Sequence, residues 1–94
     1  MLESYLQTKI KNALEQRGAF VIKTTPPPAG IPDLLVCCGD RHIWLEVKTK
    51  SGTLRKSQAA MHRQMQKKNQ KVHVVRSAEE ALEIYEHYTA YFTN

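Results

Sequence analysis

Cysteine is nearly absent from this sequence, with two in 94 residues, and they are neighbours, Cys37 and Cys38. On a strand, adjacent side chains point to opposite faces, and neither thiol has a third cysteine to pair with. A disulfide framework is therefore excluded, and free buried thiols in a reducing compartment are expected. A zinc site would need more Cys or His at ligand spacing than His42 alone provides. Long apolar runs are missing too. Nothing approaches the roughly 20 residues that cross a bilayer, so no membrane partner is expected. Met1-Leu2-Glu3-Ser4 lacks the apolar stretch of a secretion signal, and the expected location is cytoplasmic or nucleoid-associated. Glycine and proline number four each, and three of the prolines are consecutive. The length suits one small domain over residues 1–94 and is too short for two independent cores.

Basic residues are absent from the tail. All 14 Lys and Arg lie in residues 1–76, together with five of the nine acidic side chains, leaving +9 there and −4 beyond. An excess of this kind, carried by Lys9, Lys11, Arg17, Lys23, Lys48, Lys50, Arg55, Lys56, Arg63, Lys67, Lys68 and Lys71, suits a polyanion such as a nucleic-acid backbone. Solvated lysines alone would give the same balance, so charge does not decide the matter.

Apolar residues at Leu2, Leu6, Ile10, Ala13 and Leu14 predict a helix over 2–16 that ends at Gly18. Ala19 to Lys23 reads as a short strand, and Pro26-Pro27-Pro28 forces a stiff loop. Asp33 to Cys38 is apolar on both faces, as expected of a central strand covered on both sides. Gly39-Asp40 fits a type II′ turn, and His42 to Thr49 alternates as a second hairpin strand. In it Ile43, Leu45 and Val47 share one face and Trp44, Glu46 and Lys48 the other. A basic helix from Leu54 or Arg55 to Lys68 is expected to turn Ala59, Met61, Met65 and His62 inward. Val72 to Val75 is a last strand, and Ser77-Ala78-Glu79-Glu80 has capping-box spacing. That box opens a helix with Leu82, Tyr85, Tyr88 and Phe92 near one face. Tyr85, Tyr88, Tyr91 and Phe92 make an aromatic end suited to core packing or a dimer contact. The order is αβββαβα.

Chemistry concentrates in the hairpin. With the turn centred on Gly39-Asp40, cross-strand partners sum to 79, so Asp33 faces Glu46. Like charges directly opposed are destabilising unless something compensates them. Lys48 lies on the same face. A hard divalent ion takes oxygen ligands, polarises a phosphoryl oxygen and activates water. Asp33, Glu46 and the Val47 carbonyl could hold such an ion, with the Lys48 ammonium orienting the nucleophile. The structural alternative is a surface hairpin with a turn aspartate and a solvated Glu-Lys pair. Lys23 ends the first strand and could touch phosphate. Lys50, Arg55, Lys56, Arg63 and Lys67 could track a DNA backbone or simply form a charged face. The four histidines show no ligand spacing. Trp44 is expected in the core under the first helix.

Gly30-Ile31-Pro32-Asp33, Leu34-Leu35-Val36, Trp44-Leu45-Glu46-Val47-Lys48, Gly52-Thr53-Leu54 and Gln58 resemble the PD-(D/E)XK nuclease superfamily, most closely its VRR-NUC branch. The resemblance spans nearly the whole chain. It implies a three-layer α/β fold of restriction-endonuclease type, an αβββαβ core with an added C-terminal helix. It further implies Mg²⁺- or Mn²⁺-dependent cleavage of DNA, with Asp33 and Glu46 as metal ligands and Lys48 as catalytic lysine. Short members resemble dimeric Holliday-junction resolvases, so branched DNA and a homodimer are expected. The motifs also place an acid on the first helix, for which Glu3 is the candidate ahead of Glu15, and a glutamine on the next, Gln58. Glu3 would equally suit the helix dipole, and Gln58 could cap its own backbone. The competing expectation is a non-catalytic DNA-binding or targeting module with the same fold. Sequence-specific cutting has no obvious base-reading element here.

Overall fold

The computed structural model describes residues 2–24 and 30–90. The expected polyproline loop and the aromatic pair Tyr91 and Phe92 lie outside the described residues. Among those described, the order is α1 (Glu3–Gln16), β1 (Phe20–Lys23), β2 (Leu34–Cys38), β3 (Arg41–Val47), α2 (Lys56–Lys67), β4 (Val72–Val75) and α3 (Ala78–Thr89). These are the expected elements, with shifts of one or two residues at their ends. The strands form one mixed sheet in the order β1-β2-β3-β4. The first three are antiparallel and β4 runs parallel to β3, so α2 is the crossover helix that such a connection requires.

Local chemistry explains the boundaries. Gly18 has φ of 94° and Gly39 of 65°, left-handed values that stop α1 and make the hairpin turn. Asn69, at φ of 62°, does the same after α2. Ser77 caps α3, its hydroxyl accepting the Glu80 N–H at 3.1 Å. The reciprocal half of the box is displaced by one residue, because the Glu80 carboxylate accepts the Arg76 N–H at 2.6 Å.

One face of the sheet is the apolar core. Val21, Leu34, Val36, Cys38, Ile43, Leu45, Val47 and Val75 pack there against Leu6, Ile10 and Leu14 of α1 and Ala78, Ala81 and Tyr85 of α3. The other face carries Phe20, Ile22, Leu35, Cys37, Trp44 and Glu46, with α2 over part of it.

Three expectations are corrected here. The interior strand β2 is paired on both sides, but Leu35 and Cys37 on its second face are only half-buried, as is the Cys37 thiol. Cys38 is buried, and burial first, then the neighbouring Cys37, raises its thiol pKa to about 11. Trp44 is not under α1. It lies on the opposite face and donates its indole N–H to Gln70 Oε1 at 2.9 Å, an oxygen that also contacts His42 at 2.8 Å. Finally, α2 buries Gln58 and His62, while Ala59, Met61 and Met65 are half-buried. His62 turns inward as expected, but the apolar members of the stripe give the centre of the contact to Gln58 and His62 because this helix covers a carboxylate, which needs polar partners.

Candidate functional site

The hairpin register is the one the turn implies: Leu34 pairs with Leu45, Leu35 with Trp44 and Cys38 with Arg41. One further step opposes Asp33, just before β2, to Glu46, near the end of β3. The β1 side holds Asp33 in place, since both the N–H and the hydroxyl of Thr24 donate to its carbonyl, at 3.0 and 3.1 Å. Asp33 Oδ2 accepts the N–H of Val47 at 2.8 Å. The carboxyl groups of Asp33 and Glu46 stand close enough to share a hydrogen bond. The two acids therefore sit on one side of the sheet, within reach of a single ion.

Glu46 is fully buried, with 0% of its surface exposed. Burial, followed by the hydrogen bond with Asp33 and the negative charge of Asp33, pushes its pKa up to about 8 against the pull of Lys48. Two residues from one face of α2 satisfy its oxygens: Gln58 Nε2 donates to Oε2 at 3.3 Å, and His62 Nε2 lies 3.2 Å from Oε1. Burial lowers the pKa of His62. Burial thus disfavours the charged form of both partners, which works against an ion pair at this contact.

Lys48 follows β3 and is 5% exposed. Its N–H donates to Val75 O at 3.0 Å, so the parallel pairing with β4 carries one residue past the strand end and fixes its backbone. Its ammonium lies 3.9 Å from Glu46 Oε2 and 3.9 Å from Glu3 Oε2, on the first turn of α1. Glu15, the other candidate acid on that helix, pairs instead with Lys11 at 2.9 Å.

Asp33, Glu46, Lys48, Gln58 and Glu3 thus converge. Gln58 meets both readings of it at once, because its Oε1 also accepts the Arg55 N–H at 2.9 Å and ties the start of α2. Gly30 lets that start come close: its φ is 89°, and a Cβ there would lie 2.5 Å from the Ser57 carbonyl.

The basic candidates are more dispersed. Lys23 reaches back to Thr8 Oγ1 at 3.4 Å. Lys50, Arg55, Lys56 and Arg63 are exposed and form no ion pair among the described residues. His62 was expected to face inward, but its contact with Glu46 is what sequence reasoning missed. Its signal was its spacing, four residues after Gln58 and so on the same helical face.

Among the described residues no three Cys, His, Asp or Glu side chains gather as a metal cluster. The donor set here is of another kind, two carboxylates and a backbone carbonyl. The register places Pro32 opposite Val47, and proline has no N–H to donate, so the Val47 carbonyl lacks its ladder partner from that strand. Hard oxygen donors around a carboxyl pair short of positive charge fit a Mg²⁺-class ion, and a cation there would let both acids ionise.

No protein-family model and no curated protein matches the chain. A solved structure described as "VRR_NUC domain" superposes with a TM-score of 0.74 at 30% identity, covering 92% of this chain and 96% of that one.

Proposed function

Because the chain belongs to the VRR-NUC domain family, we propose that it is a Mg²⁺- or Mn²⁺-dependent deoxyribonuclease whose site is Asp33, Glu46, the Val47 carbonyl, Lys48, Gln58 and Glu3. One observation carries this reading: a fully buried glutamate in hydrogen-bond reach of Asp33, with the Lys48 ammonium 3.9 Å away. When bound, a divalent ion would polarise the phosphoryl oxygen and acidify an attacking water. Asp33 and Glu46 would hold and orient that ion, with the Glu46 carboxyl ionised to do so. Lys48 supplies positive charge where the phosphorane-like oxygens develop. Glu3 balances that ammonium from α1, and Gln58 holds Glu46 Oε2 in place. None of Lys50, Arg55, Lys56 and Arg63 is neutralised within the described chain, which suits them to the DNA backbone along with Lys23.

The substrate we propose is branched DNA such as a four-way junction, cut by a homodimer that sets two sites on two strands. Phe20, 65% exposed, and Ile22, 41% exposed, give the edge strand β1 an apolar surface for a second copy. An intracellular, nucleoid-associated location follows from the substrate, and no helix among the described residues is long and apolar enough to cross a membrane.

The test is purified protein with Mg²⁺ or Mn²⁺ against linear duplex, flap, splayed-arm and four-way substrates, with mass measured in solution. Asp33→Asn and Lys48→Ala should each lower cleavage at least about 10³-fold while DNA binding persists. Undiminished cleavage by either variant removes the assignment. DNA binding without cleavage by the wild type would make the chain a binding module.

A further inference from the structure

The loop that follows Lys48 is held by one side chain that no motif singled out. Arg76, in the bend after β4, donates from Nη1 to the carbonyls of Thr49 at 2.7 Å and Gly52 at 2.6 Å, with the Lys50 carbonyl at 3.5 Å. These acceptors orient the guanidinium but do not neutralise it. Among the described residues no carboxylate pairs with the Arg76 guanidinium, although that of Glu80 accepts the Arg76 backbone N–H at 2.6 Å, and Nε and Nη2 make no hydrogen bond. Those donors are not sealed in the protein either, since no buried side-chain nitrogen lacks a partner. They remain open to an acceptor from outside.

Arg76 also lines a cavity of about 250 Å³ with Leu6, Thr49, Lys50 and Ser51. Lys50 is exposed and has no acidic partner among the described residues, so the cavity presents a hydroxyl and two cationic side chains, neither of them in an ion pair among those residues. Its place is beside the candidate site. Thr49 follows Lys48 directly, and Leu6 lies one helical turn after Glu3.

We infer that this cavity is an anion subsite for a phosphodiester group of the nucleic-acid backbone, one that neighbours the group being cut. This rests on the nuclease reading for the identity of the polyanion. Arg76, pre-oriented by the loop carbonyls, offers its remaining N–H donors in the fork geometry that suits phosphate. Lys50 adds charge and Ser51 a hydrogen bond. Seating the backbone there would align the strand against Lys48 one residue away. A guanidinium that only clamped the loop would require nothing of the Lys50 and Ser51 side chains, which separates the two roles.

The experiment is anisotropy of a labelled four-way junction and a labelled duplex, in EDTA so that nothing is cut, at a series of salt concentrations. Wild type, Lys50→Ala, Ser51→Glu and Arg76→Gln are compared, and thermal melting checks folding. Lys50→Ala should weaken binding roughly 3–10-fold and lower the slope of log Kd against log salt by about one. Ser51→Glu, which puts a carboxylate in the cavity, should weaken binding further, with melting unchanged in both. Arg76→Gln should lose affinity and also melt lower, through its loop bonds. Wild-type affinity and slope in Lys50→Ala and Ser51→Glu would overturn the subsite, and the backbone role of Lys50 with it, while leaving the nuclease reading in place. A wild-type chain that binds no DNA would remove the nuclease reading and the subsite with it.

Discussion

Beneath α1 and α3 the sheet presents an apolar core edged by two polar side chains, Lys23 against Thr8 and His73 against Tyr88, and beneath α2 it presents a fully buried glutamate. The first face gains stability from the apolar groups it hides, at about 25 cal/mol per Å². The second hides a carboxylate, which is unfavourable unless hydrogen bonds compensate it. Gln58 and His62 supply those bonds and Asp33 competes for the same proton. The contrast shows where the chain gives up stability, and the residues concerned are those that converge on Lys48.

The contrast can be broken most forcefully on the apolar side. Leu45→Ala, at a fully buried core position, should cost about 2–5 kcal/mol in chemical denaturation. A smaller loss would mean that the core is not the fold's main support.

The polar face should respond to pH with the opposite sign from an ordinary ion-paired acid. Glu46 has a folded pKa of about 8 against the ordinary 4.5. Between those values the folded chain keeps a proton that the unfolded chain has released. Stability from this group is complete below about pH 4.5 and is lost as pH rises towards 8, by on the order of 2–4 kcal/mol. Melting in EDTA at acidic and alkaline pH should therefore fall more steeply for wild type than for Glu46→Gln, which cannot ionise. Equal slopes would show that burial does not hold the proton.

The smallest effect sharpens the same comparison. His62→Ala removes one of the partners of Glu46 and should cost about 1 kcal/mol, with a roughly tenfold loss of metal affinity. A wild-type metal affinity in that variant would leave His62 a packing residue only.

Much of this was legible before any coordinates. Gly39-Asp40 fixed the register, and the register alone opposed Asp33 to Glu46. The Leu6, Ile10 and Leu14 spacing marked the inner face of α1, and Ser77 marked the start of α3. What was not legible depended on how α2 is rotated about its axis. A stripe of Ala59, Met61, Met65 and His62 was the natural expectation, but a helix laid over a buried carboxylate centres its inner face on Gln58 and His62, leaving the apolar members half-buried. Trp44 was misplaced for a related reason: alternation gives its face correctly but not which helix covers that face. Glu3 could be put on α1 by pattern, yet its approach to Lys48 depends on how α1 crosses the sheet. Arg76 carried no signal, because its partners are the carbonyls of a loop.

The most direct test of a shared cation site between Asp33 and Glu46 is calorimetric titration of Mg²⁺ or Mn²⁺ into the metal-free protein near pH 7, in two buffers of different ionisation heat. The account predicts binding accompanied by proton release, and loss of both in Asp33→Asn. No binding by the wild type, or binding that Asp33→Asn leaves unchanged, would contradict it.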